Sequence, residues 1–190
     1  MKKLLLTTTL LLSIFSFAQT EFNYTPEGLT PKYLVVVTPN KSQSEIYQNA
    51  LGWVKETFKN ADAVIQSTIE NNKIRFEGIT PNGVCVNRIG LTDCTDVKYL
   101  VDLEFKDNKY RFEVIQMAFY VKPNQYLSSN LTGWRKVDLI DGSAYYNKKG
   151  ELRNKNNSYL PDLMSNLNRL NSDLKSYIES GSSNKLNADW

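Results

Sequence analysis

The chain has 190 residues, 23 of them Lys or Arg and 20 Asp or Glu, with two cysteines and no histidine. The lack of histidine excludes Ser-His-Asp and Cys-His catalysis and the usual zinc-hydrolase ligand sets. A formal net charge of +3 without a basic cluster argues against a nucleic-acid partner, because phosphates are met by concentrated positive charge.

The first residues, MKKLLLTTTLLLSIFSFAQT, place Lys2 and Lys3 before an apolar stretch and end with small residues at Ser16 and Ala18. This is the pattern of an export leader cleaved before Gln19. As a helix the stretch 4–18 spans about 22 Å, short of the roughly 30 Å of a bilayer core. No later run is long or greasy enough to span, so no transmembrane segment is expected after cleavage. The leader removes two basic residues and no acid, leaving 21 against 20 and a net charge of +1. The expected location is therefore outside the cytoplasm, periplasmic or extracellular.

"KYLVVVT" (32–38) is a β-branched run of strand length between Pro31 and Pro39. In "SQSEIYQNALGWVKETFKN", Ser42 and Glu45 form a capping-box pattern, and Ile46, Ala50, Val54 and Phe58 recur every four residues. That predicts a helix. Gly52 inside it implies a close approach by another element, since glycine there costs up to about 1 kcal/mol. "AVIQSTIE" and "KIRFEGI" flank Asn71-Asn72 as a hairpin, and "TPNG" (80–83) reads as a turn. "VCVNRIGLTDC" reads as a short strand and a loop. "VKYLVDLEF" alternates, with Val97, Tyr99, Val101, Leu103 and Phe105 on one side. Asp107-Asn108 links it to "KYRFEVIQMAFYV", whose apolar parity blurs after Val114, as at a bulge or under a second covered face. Periodicity is lost over 122–158, apart from a possible small hairpin in "SAYYNKKGEL". It returns at Leu160, Leu163, Leu167, Leu170, Leu174 and Ile178 as a second helix, with Pro161 at its start and Gly181 past its end.

The order β-α-β-β-β-β-α predicts an α+β fold, an antiparallel sheet with two amphipathic helices packed on one face. The divisions are a leader (1–18), an N-terminal extension (19–31), sheet and first helix (32–121), an aperiodic aromatic- and Asn-rich segment (122–158), the last helix of the same domain (159–179) and a polar tail (180–190).

Cys85 and Cys94, the only cysteines, are expected to pair as a disulfide after export. Their spacing does not suit a redox C-x-x-C pair, and two thiols without histidine make a poor zinc site. Two free thiols are the remaining alternative. A bridge over so short a loop stabilises by roughly 2–3 kcal/mol. Asp138 and Asp141 lack the ligand pattern of a calcium loop and read as turn residues. Asp93 with Asp96, or Asp102 with Glu104, are the candidate acid–base pairs, and the second lies on the solvated side of a strand. Trp134, Tyr145, Tyr146 and Tyr159 lie in or beside the aperiodic segment and are the candidate binding residues. Flat rings beside Asn and Lys suit a sugar or a protein partner; the plainer alternative is that they pack the segment onto the sheet edge.

An export leader ending "FAQ", a valine-rich strand, the helix "SEIYQNALGWVKETFKNADAVIQ", a strand hairpin and "KDNKYRFEV" together resemble a domain-of-unknown-function family of exported bacterial proteins. That family is described as having a TATA-binding-protein-like (TBP-like) fold. The resemblance covers roughly residues 33–121 and is strongest in "ALGWVKETFKNADAVIQ". It implies the fold and supplies no catalytic residue; Cys85, Cys94 and the segment 122–158 depart from the family pattern. The function expected from these features is a non-enzymatic binding or interaction domain of the cell envelope. Its partner would be an unknown protein or small ligand, with no cofactor and no metal. The alternative is a carboxylate-dependent hydrolase or lyase using neither histidine nor metal.

Overall fold

A computed structural model of the chain describes residues 21–88, 91–123, 132–153 and 159–181. The leader at 1–18 and the tail beyond Gly181 lie outside the described residues, as do parts of the segment 122–158. Strands β1 (Asn23–Thr25) and β2 (Gly28–Thr30) form a two-stranded hairpin. The main sheet contains β3 (Tyr33–Val37), β4 (Ile65–Ile69), β5 (Lys73–Arg88), β6 (Leu91–Lys106), β7 (Lys109–Val121) and β8 (Gly133–Lys136). Its order is β3-β7-β6-β5-β4, with β8 also paired to β7, and every pairing is antiparallel. Among the described residues the helices are α1 (Gln43–Thr57), the single turn α2 (Ala61–Val64) and α3 (Leu160–Ser180).

The local signals act where the sequence placed them. Ser42 Oγ accepts from Glu45 N–H and Ser42 N–H bonds the Glu45 carboxylate, closing the capping box of α1. Asn71 and Asn108 take φ of 56° and 63° in the two tight links. Gly181, at φ 72°, ends α3 and bonds Tyr177 O. In β7 the register slips against β6 between Leu100 and Val101, so Ile115 is an extra residue. That bulge lets both Val114 and Met117 face the helices, which accounts for the blurred parity.

The core lies between one sheet face and the two long helices. Ile74, Phe76, Val101, Leu103 and Phe112 from the sheet meet Ile46, Ala50 and Val54 of α1 and Leu163, Leu167 and Leu174 of α3, all essentially inaccessible. Trp53 belongs to this core, with Phe58 and Phe76 edge-on to its ring at 6.1 and 5.8 Å.

Three local expectations are corrected. "TPNG" is no chain reversal: the register shifts between Thr80 and Val84, so Pro81–Gly83 is a bulge inside one long strand. "VCVNRIGLTDC" is not a strand followed by a loop: 84–88 continue β5 and 91–94 already belong to β6. The piece starting at Ala63 begins as a helical turn, because Asn60 caps Ala61–Val64, and becomes strand only at Ile65. The structure also adds β1, β2 and β8 to the expected order.

Candidate functional site

The four candidate aromatics take separate positions. Tyr145 stands edge-on to Tyr24 at 5.6 Å, and Tyr146 donates to Tyr24 O. These two pack the segment 138–146 against the β1–β2 hairpin. Tyr159 stacks at a tilt on Phe119, 4.9 Å away, near the start of α3. Trp134 lies on the face of the sheet opposite α1 and α3, which no described helix covers, edge-on to Tyr120 at 5.4 Å, with Lys98 Nζ 4.9 Å from its ring centre. No single cleft collects them. Asp138 and Asp141 act as turn residues: Asp138 Oδ1 accepts from Ile140 and Asp141 N–H, and Asp141 Oδ1 accepts from Ser143 N–H.

Cys85 and Cys94 form a disulfide between directly opposed residues of β5 and β6. The outward N–H of Cys85 donates to Asp162 of α3 at 2.9 Å, so the same residue ties the hairpin tip to the helix start. Asp93 and Asp96 are three residues apart on β6, and alternation sends them to opposite faces. Asp96 accepts from Asn82 N–H in the bulge, and Asp93 lies 4.0 Å from Lys122. The strand therefore does not present them as an acid–base pair. Among the described residues, no group of three or more Cys, Asp or Glu is arranged to hold a metal ion.

The face of the sheet opposite the helices holds Asp102 and Glu104, the second candidate carboxylate pair, engaged in ion pairs where simple solvation was expected. Asp102 is only 3 % exposed, although it lies on the side away from the helices. Arg75 grips it with Nε and Nη2 at 2.6 and 2.7 Å, and Lys73 Nζ lies 2.6 Å from it. Burial alone would push the Asp102 carboxyl up; the hydrogen bonds and charges of Arg75 and Lys73 outweigh burial and hold it below the usual range. Glu104 is bonded by Arg111 at 2.8 Å, which also reaches Glu113 at 3.0 Å and lies over the Tyr33 ring. Three cations thus interlock with three carboxylates. The partners come from three strands, and no spacing along the chain announces them.

A concavity lies at the edge of β7. Strand β3 pairs with β7 as far as Tyr33↔Glu113, and β8 begins at Lys136↔Ala118 on the same side. Among the described residues, Val114, Ile115 and Gln116 therefore have no partner strand there. After β8, Val137 N–H bonds Met117 O at 2.9 Å, and the chain swings outward until Leu29 N–H bonds Leu139 O at 3.0 Å. Gly28 permits that seam: its φ is +90°, and a Cβ would lie 2.6 Å from Leu139 O. The result is a notch of about 700 Å³. Its floor and walls include Leu29, Val114, Ile115, Val137 and Leu139, with Lys32 and Lys136 at the rim. The rim carboxylates are engaged, Glu113 by Arg111 and Asp138 by backbone N–H groups. Lys32 and Lys136 have no ion-pair partner among the described residues. An apolar hollow with two uncommitted cations suits a ligand with an apolar body and a negative group.

Comparison with known proteins bears on the fold. Residues 33–120 match the family described as "Domain of unknown function (DUF4468) with TBP-like fold". A crystal structure of a TBP-like protein from Parabacteroides distasonis superposes with a TM-score of 0.50 at 16% identity, covering 77% of this chain and 90% of that one. A DUF4468 family protein from Bacteroides ovatus gives 0.51 at 16% identity, covering 79% and 85%. At such identity the likeness concerns the fold alone. No curated protein matches the chain.

Proposed function

We propose, for a chain whose residues 33–120 belong to the DUF4468 family of TBP-like domains, an exported binding domain of the cell envelope that holds a small amphipathic anion in the β7 notch. It works by binding and not by catalysis. The observation that carries this reading is the break in strand pairing at Val114–Gln116, which opens an apolar hollow beside Lys32 and Lys136. Hollows of several hundred Å³ with few convergent polar groups are the common form of ligand sites. Export is supported by the leader pattern at 1–18 and by the Cys85–Cys94 disulfide, which suits an oxidising compartment. Among the described residues no helix is long and apolar enough to cross a membrane.

The test uses the ¹⁵N-labelled chain starting at Gln19, with octanoate and octylammonium as probes. Octanoate is expected to shift the amide signals of Ile115, Gln116 and Val137. Octylammonium, with the same tail and the opposite charge, is expected to leave them in place. The double variant Lys32→Glu/Lys136→Glu should lose the octanoate response and keep its fold. Equal responses to both probes, or none to either, would remove the notch as an anion site.

A further inference from the structure

We infer that two copies of this chain join through strand β3, edge to edge and antiparallel, to make one continuous sheet. The inference is independent of the notch. Strand β3 is the last strand on its side of the sheet, and among the described residues Tyr33–Val37 form no backbone hydrogen bond beyond the ladder to β7. Thr38 N–H bonds Asn108 O. By the two-residue alternation of a strand, Leu34 and Val36 also turn their backbone groups toward β7, and Tyr33, Val35 and Val37 turn theirs outward.

Exposed strand edges are normally blunted by charge, proline or a bulge. The opposite edge strand, β4, has such protection: a register shift between Ile65 and Ser67 and the polar residues Gln66, Ser67 and Thr68. Strand β3 has none within Tyr33–Val37. Its side chains on the uncovered face are instead apolar or aromatic: Tyr33 is 46 % exposed, Val35 42 % and Val37 57 %. An apolar edge left bare in this way is a pairing surface.

The charges one strand behind the edge favour one direction of pairing between two copies. Across β7, Val37 stands beside Lys109 and Tyr33 beside Glu113. Antiparallel pairing centred on Val35 sets Val35 against Val35 of the second copy and Tyr33 against its Val37. The two outer cross-sheet rows then run from Lys109 of one copy to Glu113 of the other, and the central row runs from Arg111 to Arg111 in either direction of pairing. Parallel pairing would align Lys109 with Lys109 and Glu113 with Glu113. The antiparallel seam supplies about six backbone hydrogen bonds and sets the three exposed side chains of one copy beside those of the other. A five-residue seam is smaller than the roughly 800 Å² per partner of a standard interface, so the dimer is expected to be reversible.

Analytical ultracentrifugation of the chain from Gln19 should show a concentration-dependent monomer–dimer equilibrium. Val35→Lys should leave only monomer, with unchanged circular dichroism and melting. Val35→Cys should cross-link to a covalent dimer on mild oxidation, because opposed residues in such a pair lie within disulfide reach. Tyr33→Cys, which faces Val37 across the seam, should not. A wild-type chain that stays monomeric at the highest attainable concentration overturns the proposal. So does equal cross-linking of the two cysteine variants, or protection of the Val35 amide only when a different envelope protein is added.

Discussion

Tyr177 lays its hydroxyl over Gly52 where the two long helices cross, and donates to Glu56, one turn further along α1, at 2.7 Å. A Cβ on Gly52 would lie 3.1 Å from that oxygen. Gly52→Ala gains up to about 1 kcal/mol of helix propensity and strains a contact that has little room to yield. The two should nearly cancel, so urea melts of this variant are expected within about 1 kcal/mol of wild type. Gly52→Leu has no such balance and should lose about 3 kcal/mol through overpacking.

Reduction of the processed chain should add two hydrogens to its intact mass. Replacing Cys85 and Cys94 by serine should cost about 2 kcal/mol. The loss should be local, because the Pro81–Gly83 bulge separates the hairpin tip from the rest of β5. Hydrogen exchange should quicken over 84–95 and change little over 97–105. The bond from Cys85 N–H to Asp162 keeps the tip docked in part even without the bridge.

Asp102→Ala leaves Lys73 and Arg75 crowded without their shared carboxylate. The expected cost is about 3 kcal/mol, at the low end for a broken buried ion pair because both cations are partly exposed. The folded carboxyl is held below its ordinary 3.8, so its stabilisation is full above that value and is lost as pH falls through the lower folded one. Acid melts of Asp102→Asn should therefore show a shallower decline below about pH 4 than wild type.

Alkaline stability rests on buried phenols. Burial first, then the hydrogen bond and charge of Glu56, push Tyr177 up from 10.0 to about 12. Burial raises Tyr110 and Tyr24 further. A phenol is neutral when protonated, so a raised folded value means that the fold favours the protonated form. That stabilisation is complete below about pH 10 and is lost as pH rises through the folded values. Denaturant midpoints should fall between pH 10 and 12, and Tyr177→Phe should reduce the slope in that window.

The parts of the fold legible in the chain were those set by neighbours in sequence. Ser42 and Glu45 are three residues apart, Asn71-Asn72 and Asp107-Asn108 reverse the chain locally, and the leucines of α3 repeat with the helix turn. The β1–β2 hairpin was not legible, because strands of three residues have no period. It is fixed from afar, by Asn168 at Phe22 and by Leu139 at Leu29. "TPNG" carries turn residues, yet pairing on both sides overrides them and leaves a bulge. The notch and the Asp102 cluster depend on strands brought together across dozens of residues. The notch also depends on two strands sharing one edge of β7, which no local pattern encodes.

Phe22 is held by both backbone groups: its N–H donates to Asn168 Oδ1 at 2.7 Å and its carbonyl accepts from Asn168 Nδ2 at 2.9 Å. Its ring is wholly enclosed beside Phe112, on the helical side of the molecule. Tension applied through the amino end is thus borne first by α3, before any rung of the large sheet is loaded. A domain moored to a surface by that end would hang with its helices inward, and would offer its bare strands to whatever passes.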